Sequence, residues 1–397
     1  MSTLRDDFRR FVCQTSPEPM GIEVARAHGC VIVDKNGKEY LDFLSGIGVA
    51  SIGHTHPAVV NAIKAQTERY LHVMVYGEYV QEPQVRLAQR LAEVAPPPLS
   101  VTYFTNSGTE AIEGALKTGR KYTGRSGFVS FFGSFHGDTF GSLSVGGNPV
   151  YREPFEPLLP EVTFLPFNAK AALTKINDTV AAVIIEPIQG EGGVRIPDDD
   201  FLPALRHRCD EVGALLIFDE VITGFGRTGK MFASEHWNVT PDILVLAKAL
   251  GGGMPLGAFI STPEIMATLS TDPPLAHVTT FGGHPVCCAA GLASLNFMLE
   301  THLPQRAQEK GEELIEKLHA LVGHGNFTNV RGRGLLIGMD FATPDATKHF
   351  VQNCFAAGLI LGWTLHRDTV VRLAPPLIIS SAEIDRAIAS MHDALHQ

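Results

Sequence analysis

Three ionisable residues of this 397-residue chain lie at the ends of apolar segments that have the length of buried strands. Glu186 lies at the end of "AAVIIEP", Asp219 at the end of "ALLIFDEV" and Lys248 at the end of "DILVLAK". In an open parallel sheet, ligands bind at the carboxyl ends of the strands. A carboxylate and an amine in one apolar crevice also perturb each other's protonation. The residues indicate either an ordinary buried ion pair or a Schiff-base lysine beside an acid that balances a cationic cofactor ring.

A glycine-rich stretch follows Asp219 directly. The sequence "FDEVITGFGRTGK" (218–230) contains the dinucleotide fingerprint G-x-G-x-x-G and nearly matches the P-loop pattern G-x-x-x-x-G-K. Only "KMFASEHWNVT" separates Gly229 from Pro241, which leaves little room for the crossover helix of a dinucleotide fold. Met231 replaces the Ser or Thr of a P-loop. We therefore predict a glycine-rich turn, and nucleotide binding through Gly224–Gly229 stays a remote alternative.

A second glycine-bearing segment is a better candidate for phosphate binding. In "VTYFTNSGTEAIEGALK" a strand ends at Asn106, and Ser107, Gly108 and Thr109 open a helix with Glu110 in its first turn. The free N–H groups and the positive dipole end of such a helix hold a phosphate, and the two hydroxyls add donors. The alternative is that Ser107 or Thr109 only caps the helix.

The middle third of the chain has the pattern of an α/β protein. Short, continuous apolar runs alternate with amphipathic stretches, as in a parallel sheet that is covered on both faces. The predicted strands are 101–106, 127–132, 181–187, 214–221 and 242–248, and helices are predicted over 108–124 and 201–213.

The two ends of the chain differ from the middle. Two longer helices, roughly 286–301 and 304–322, precede a strand-and-helix stretch that is typical of a smaller α+β domain. The stretch "GCVIVDKNGKEYLDF" (29–43) predicts a hairpin that turns at Asn36-Gly37. The predicted organisation is an N-terminal segment (1–49) that packs with the small domain, a large domain (50–285) and a small C-terminal domain (286–397).

Composition and charge argue against several kinds of partner. The net charge is −10 and the pI is near 5.9, whereas nucleic acids and anionic membranes require a basic face. The N-terminal "MSTLRDDFRRF" lacks the apolar core of a signal peptide, and no stretch approaches a membrane span. The six cysteines form no C-x-x-C pattern. We expect a cytoplasmic protein with reduced thiols and no metal site, because the "GHTHP" histidines lack further ligands at suitable spacing.

Six motifs, taken together, resemble those of the class III aminotransferases. They are "NSGTEA", "SFHGDTFGSLS", "EPIQGEGGV", "FDEVITGFGRTG", "AKALGGGMPLGA" and "TTFGGHP", and the similarity runs in order from residue 37 to residue 379. This family of pyridoxal-phosphate enzymes includes the acetylornithine, ornithine, 4-aminobutyrate and ω-amine:pyruvate aminotransferases. The resemblance implies the fold-type I architecture, a large and mostly parallel-sheet domain with a smaller α+β domain, in a homodimer that uses pyridoxal 5'-phosphate.

The resemblance also implies roles around the cofactor ring. Lys248 matches the Schiff-base lysine, whose freed amine moves a proton between the substrate and the cofactor. Asp219 matches the acid that keeps the pyridine nitrogen protonated. Val221 and Phe135 match the residues that pack on the two ring faces, and His136 lies beside Phe135.

The remaining cofactor contacts implied by the resemblance concern the phosphate. Ser107, Gly108 and Thr109 match the phosphate cup. Glu186 is a further candidate for cofactor binding, because of its place at a strand end and not because of the resemblance. Thr280 in "TTFGG" matches a phosphate contact that the partner subunit supplies, which would make each active site a shared one.

Four further residues are candidates for substrate binding. Glu191 and Arg372 match a pair in which the arginine binds an incoming carboxylate and the glutamate neutralises it for amine substrates; the alternative is a structural salt bridge. Asp138 stands where many glutamate-using members carry arginine ("HGRT"), and it would repel a carboxylate. Glu78 falls near the pocket entrance. Asp138 and Glu78 together favour a cationic or neutral amine, unless both are solvated loop acids.

We predict a pyridoxal-phosphate-dependent aminotransferase that moves an amino group from an amine or ω-amino acid to a 2-oxo acid by a ping-pong mechanism. Two alternatives keep the cofactor. One is an acetylornithine- or 4-aminobutyrate-type enzyme that uses 2-oxoglutarate, and the other is a decarboxylating transaminase or an aminomutase.

Overall fold

The computed structural model describes residues 3–75 and 77–397, within which strands and helices alternate along most of the chain. The strands are β1 (Val24–His28), β2 (Val31–Asp34), β3 (Glu39–Asp42), β4 (Val101–Thr105), β5 (Gly127–Phe131), β6 (Val162–Leu165), β7 (Val180–Ile185), β8 (Leu215–Asp219), β9 (Ile243–Leu246), β10 (Gly257–Ser261), β11 (Phe327–Arg333), β12 (Leu336–Phe341), β13 (Leu359–Ile360), β14 (Gly362–Thr364) and β15 (Arg367–Leu373). The helices are α1 (Leu4–Phe11), α2 (Ser45–Gly48), α3 (Pro57–Arg69), α4 (Glu82–Val94), α5 (Gly108–Thr123), α6 (Phe140–Ser144), α7 (Pro149–Arg152), α8 (Phe201–Val212), α9 (Pro263–Ala267), α10 (Pro285–Glu300), α11 (Leu303–His319), α12 (Pro344–Ala356) and α13 (Ser381–Leu395).

The middle of the chain forms a seven-stranded sheet in the order β4-β10-β9-β8-β7-β5-β6. Strands β5 to β9 are paired in parallel, whereas β10 is antiparallel to both of its neighbours. Every residue of β5, β7, β8 and β9 is buried, which explains their continuous apolar sequences. The predicted strands are confirmed, and β6 and β10 complete the sheet.

Helices cover both faces of this sheet. Helix α5 belongs to the core on the face that carries Ile184 and Ile217, and α8 belongs to the core on the face that carries Val183 and Leu216. This division follows from the alternation of side chains along a strand. Helix α5 ends at Gly124 in the left-handed conformation (φ 68°), as is common after the last helical residue.

The N-terminal and C-terminal parts of the chain share a sheet in the order β1-β2-β3-β13. Strands β2 and β3 form the predicted hairpin, and Gly37 in its turn has φ 84°. Strand β3 pairs in parallel with β13, and a further sheet, β11-β12-β15-β14, lies within the C-terminal part. The N-terminal segment therefore packs with C-terminal elements, while the domain limits at residues 49 and 285 stay a prediction.

The glycine-rich stretch after β8 is a turn. Gly226 and Gly229 have φ 86° and 93°, and a 3-10 turn over Ala233–His236 is the only helical piece between β8 and β9. A dinucleotide-binding fold requires a full crossover helix at this point. The structure therefore excludes that architecture for Gly224–Gly229.

Glu220 anchors this turn from the end of β8. Its carboxylate is fully buried and accepts hydrogen bonds from Ala233 N (2.6 Å) and Ser234 N (2.8 Å). Because neighbouring side chains at a strand end point in opposite directions, Glu220 faces the turn while Asp219 and Val221 face the other way.

Two further observations concern the described part of the chain. No single helix there has the length and hydropathy of a membrane span, although the bent pair α10 and α11 meets both criteria when taken together. Residues 3–75 and 77–397 contain no group of three or more His, Cys, Asp or Glu residues that could hold a metal ion.

The contact between α11 and the β11–β12 turn requires glycine at position 311. A Cβ atom on Gly311 would lie 2.0 Å from the carbonyl oxygen of Gly334. Helix propensity alone would make Gly311→Ala stabilising by about 1 kcal/mol, but forced overpacking costs about 1–3 kcal/mol. We expect a lower Tm in thermal unfolding. The exposed Glu316→Ala on the same helix is the control, and a Gly311→Ala variant as stable as the parent would contradict the close approach.

Candidate active site

A cavity of about 760 Å³ opens at the carboxyl ends of the parallel strands. It brings together most of the residues selected from the sequence. Those that line it are Ser107, Gly108, Thr109, Phe135, His136, Asp138, Glu186, Glu191, Asp219, Val221, Lys248 and Arg372. Glu78 and Thr280 are both exposed and are not among its lining residues.

An acid–imidazole pair lies on the floor of the cavity. Asp219 Oδ2 is 2.7 Å from His136 Nδ1, and Asp219 Oδ1 accepts a hydrogen bond from Val221 N (3.0 Å). Both side chains are buried. His136 Nε2 has no hydrogen-bond partner among the residues that the structure describes. The imidazole thus fixes the orientation of the carboxylate from the protein side.

Glu186 joins two segments of the cavity wall. Its Oε1 accepts a hydrogen bond from Phe135 N (3.0 Å), and its Oε2 accepts one from Gly190 N (2.8 Å). Burial raises the pKa of Glu186 to about 7; His136 opposes this shift and Asp219 adds to it. The carboxylate therefore holds the Phe135 segment and the Gly190 segment in register.

Lys248 occupies a strained backbone position at the cavity. It follows β9, begins the 3-10 turn Lys248–Gly251 and has φ 47°, which lies in the left-handed region. Such strain in a non-glycine residue persists only where the surrounding structure enforces it, and it clusters at functional sites. Burial, together with the positive charge of Arg372, lowers the pKa of the Lys248 amine. More of the amine is therefore neutral and nucleophilic at a given pH.

An ion pair between Glu191 and Arg372 closes one side of the cavity. Glu191 Oε2 also accepts a hydrogen bond from Leu365 N (2.8 Å). Although burial opposes its charge, the pKa of Glu191 is lowered overall by Arg372 and by this N–H group. Arg372 Nε has no partner within residues 3–75 and 77–397, so the guanidinium retains a free donor.

The N-terminus of α5 also lines the cavity. Ser107 Oγ accepts a hydrogen bond from Glu110 N (3.2 Å) and caps the helix, while the N–H groups of Gly108 and Thr109 have no acceptor inside the helix. A Cβ atom on Gly108 would lie 3.2 Å from both methyl groups of Val221. Glycine therefore permits this helix end to approach the strand that carries Asp219.

Asp138 is exposed towards the cavity, and it forms no ion pair within the described part of the chain. Other lining residues were not selected from the sequence: they include Val49, Asn106, Gly190 and Met254. Gly190 lies in the motif "EPIQGEGGV" beside Glu191, and Met254 lies in "AKALGGGMPLGA" near Lys248, so the sequence could have indicated both as lining residues. Val49 reaches the cavity from the N-terminal segment, and no local pattern indicates this.

The chemistry of this cavity fits a phosphorylated pyridine aldehyde. A buried carboxylate can face a ring nitrogen, a lysine amine with a lowered pKa can bind an aldehyde, and a helix N-terminus with free N–H groups can bind a phosphate. Together with the open, mostly parallel sheet, the cavity has the features of a fold-type I pyridoxal-phosphate-dependent transferase.

Comparison with known proteins identifies the family. The profile described as "Aminotransferase class-III" matches residues 12–395, and the chain belongs to this family. The resemblance seen in the sequence motifs is confirmed, as are the fold class, the cofactor pyridoxal 5'-phosphate and activity as a PLP-dependent transaminase.

Individual relatives agree with this assignment. An acetylornithine aminotransferase from Methanopyrus kandleri is 44% identical over 375 residues, 94% of each chain. The ornithine aminotransferase from Toxoplasma gondii, with PLP at partial occupancy, superposes with a TM-score of 0.92 at 30% identity, covering 98% of this chain and 92% of that one. An (S)-enantioselective ω-transaminase from Thermomicrobium roseum gives a TM-score of 0.90 at 32% identity, covering 98% and 97%.

The titration of Glu186 can be tested through folding stability. With a pKa near 7 in the folded chain and about 4.3 when unfolded, Glu186 binds its proton more tightly in the folded state. Its contribution to stability is therefore present at low pH and is lost as the pH rises through about 7. Glu186→Gln removes this titration, but one of the two main-chain N–H groups, Phe135 N or Gly190 N, then faces the amide NH2 of glutamine, which is itself a donor. We expect a loss of about 1–3 kcal/mol.

The measurement is denaturant unfolding of parent and variant between about pH 5 and about pH 8. The difference between parent and Glu186→Gln in the free energy of unfolding should become smaller as the pH rises, because only the parent loses stability through Glu186. A gap that is constant with pH would show that Glu186 is charged over the whole range.

Proposed function

We propose that this chain transfers an amino group from an amine or ω-amino acid to a 2-oxo acid by a ping-pong mechanism. The observation that carries the proposal is the convergence in one cavity of the Lys248 amine, the Asp219–His136 pair and the Glu191–Arg372 ion pair. These groups supply a proton carrier, an acid for a cationic ring and a carboxylate site, which are the elements that the reaction requires.

Lys248 and Asp219 are the proposed catalytic residues. When bound, pyridoxal phosphate supplies an electron sink for the carbanion that forms at the substrate carbon. Lys248 Nζ would hold the cofactor aldehyde, and its amine, once free, would carry a proton to and from the substrate carbon. Asp219 keeps a proton on the pyridine nitrogen, and His136 keeps the Asp219 carboxylate in position.

The other cofactor contacts are proposed from their places around the cavity. Phe135 and Val221 cover the two ring faces, with Glu186 holding the Phe135 main chain. Ser107, Gly108 and Thr109 at the start of α5 bind the phosphate.

A homodimer completes the proposed site. Thr280 does not line the cavity of its own chain, and both it and its neighbour Phe281 are exposed. This is the arrangement expected if Thr280 of the partner subunit contacts the phosphate, so that two chains build each site. The proposed location is the cytoplasm, without nucleic-acid or membrane partners.

Arg372 is the proposed carboxylate site. When a 2-oxo acid enters, its carboxylate takes the place of Glu191 on the guanidinium, which binds carboxylates in a bidentate manner. When an amine without a carboxylate enters, Glu191 stays on Arg372, and the buried charge is neutralised. The same cavity thereby accepts two substrates of different charge in turn.

Asp138 makes a cationic donor the favoured one. Arg372 is the only arginine that lines this cavity among the residues that the structure describes, so a dicarboxylate such as 2-oxoglutarate finds no second guanidinium there. Asp138 instead offers a carboxylate to a distal ammonium group, and Glu78 would act from the entrance. We propose that diamines or basic ω-amino acids are the donors.

A second candidate is an acetylornithine-type enzyme, which the 44% identity to the Methanopyrus kandleri protein favours. A 4-aminobutyrate-type enzyme would share its use of 2-oxoglutarate. A decarboxylating transaminase or an aminomutase uses the same cofactor residues, and it differs in losing carbon dioxide or in returning the intermediate product to the cofactor.

Reduction with borohydride tests the role of Lys248. We expect the purified protein to carry a yellow cofactor band that borohydride bleaches, with the covalent label on Lys248. Lys248→Ala should still bind the cofactor through its remaining contacts but should lose the label and about 10⁴-fold or more of the activity, since both nucleophile and proton carrier are gone. The control is Lys230→Ala, at an exposed lysine outside the cavity. A label on any other lysine would refute the assignment.

A donor panel tests the role of Asp138. We expect kcat/KM for 1,4-diaminobutane to exceed that for 4-aminobutyrate, and Asp138→Asn to lower it by about 10- to 100-fold, because a charged hydrogen bond is lost. Butylamine has the same length but no distal charge, so its kcat/KM should change by less than about twofold in this variant. A parent enzyme that prefers 4-aminobutyrate with 2-oxoglutarate would support the second candidate instead.

A further inference from the structure

Arg227, in the middle of the glycine-rich turn, is the largest fully buried side chain that the structure describes, with 1% of its surface exposed. It forms no ion pair with any carboxylate in residues 3–75 and 77–397. Burial, together with the nearby charge of Arg372, lowers the pKa of its guanidinium to about 9, and Asp42 opposes this shift. An unpaired buried charge is costly, so its retention requires a compensating function or contact.

The contacts of Arg227 connect segments that are far apart in the sequence. Nη1 donates to Leu335 O (3.1 Å) in the β11–β12 turn and to Pro375 O. Nη2 donates to Ser45 Oγ (3.4 Å) in the N-terminal segment and to Ser51 Oγ (3.3 Å) just after it. One guanidinium therefore fastens the N-terminal segment and two C-terminal loops to the turn that follows β8.

One of these loops leads directly away from Arg372. Strand β15 ends one residue after Arg372, and the next residues are held from two sides: Ala374 N donates to Phe43 O (2.8 Å) and Ala374 O accepts from Ser45 Oγ (2.7 Å). Pro375 O accepts from Arg227. Strands β12 and β14 pair with Arg372 itself, and the clamp that Arg227 forms holds the main chain that follows it.

We propose that Arg227 is a positioning residue that sets the carboxylate affinity of Arg372 without touching the substrate. This inference rests on the proposed role of Arg372. The clamp fixes where the Arg372 guanidinium lies, and the second positive charge nearby raises the electrostatic attraction for an anion bound there.

The experiment measures carboxylate binding to the holoenzyme without turnover. Propionate, which has no amino or oxo group, is titrated while the cofactor absorbance is recorded; single half-reactions with pyruvate and with butylamine are then compared. Arg227→Met should weaken propionate binding by about tenfold, a usual size for coupling between two groups, and slow the pyruvate half-reaction at low concentration. The butylamine half-reaction should change by less than about twofold, because this substrate has no carboxylate.

Two further variants make the test specific. Arg227→Lys keeps the charge but loses the fork of donors, and an intermediate loss of propionate binding is expected. Arg125→Met is the matched control: its Nη1 also donates only to main-chain carbonyls, those of Val180, Val212 and Gly213, but at the opposite end of the strands from the cavity. Arg125→Met should leave propionate binding unchanged, even where it lowers the Tm.

The outcomes separate this inference from the proposed function. If Arg372→Met leaves propionate binding intact, the carboxylate site itself is wrongly placed. If Arg372→Met abolishes binding but Arg227→Met and Arg227→Lys do not weaken it, only the present inference is wrong. If the Arg227 variants weaken propionate binding and slow the butylamine half-reaction by the same factor, Arg227 is merely structural. If neither Arg227 variant folds with cofactor, Ser51→Ala takes their place, because it removes one acceptor of Arg227 Nη2. This variant must weaken propionate binding by a larger factor than it slows the butylamine half-reaction.

Discussion

The parallel alignment of β7, β8 and β9 is the constraint on which the rest of the structure depends. Each strand is buried along its whole length, and each ends at the same edge of the sheet. The charged residues at the ends of these three strands must therefore lie beside one another. Glu186, Asp219 and Lys248 meet in one cavity for this reason, and the buried strands behind them exclude water from its floor.

The charges at this edge would repel or lose solvation if they stood alone. Main-chain N–H groups or a side-chain partner stabilise the three acids: Glu186 has two N–H donors, Asp219 has His136, and Glu191 has Arg372. Glycine-rich loops provide the close approach of the main chain that these contacts need. Glycine is thus common here because side chains would block the approach, even where no ligand contacts the glycine itself.

Much of this site could be predicted from the sequence because strand ends are local features. A continuous apolar run followed by Glu, Asp or Lys specifies both the strand and the edge at which its last residue lies. Long-range placement has no such signal. That Val49 would line the cavity, that Glu186 would hold Phe135, and that Arg227 would be buried without an acid among the described residues all depend on chain segments more than fifty residues apart or on loop paths. The glycine pattern differs, because the short spacing between Gly229 and Pro241 already predicts the turn that the structure shows.

The sheet shared by β3 and β13 has a consequence for the order of events during synthesis. Strand β3 can pair early with β2, but its parallel partner β13 is available only when residues 359–360 have left the ribosome, and Arg372 follows still later. The large sheet can pair its strands long before then, but Arg372 cannot line the cavity until the C-terminal strands have formed and β13 has paired with β3. The proposed cofactor contacts within one chain lie between residues 107 and 248, and Asp219 and Glu186 find their partners there, whereas Glu191 has no partner until Arg372 is in place. The carboxylate site would thus be the last part of the cavity to be completed.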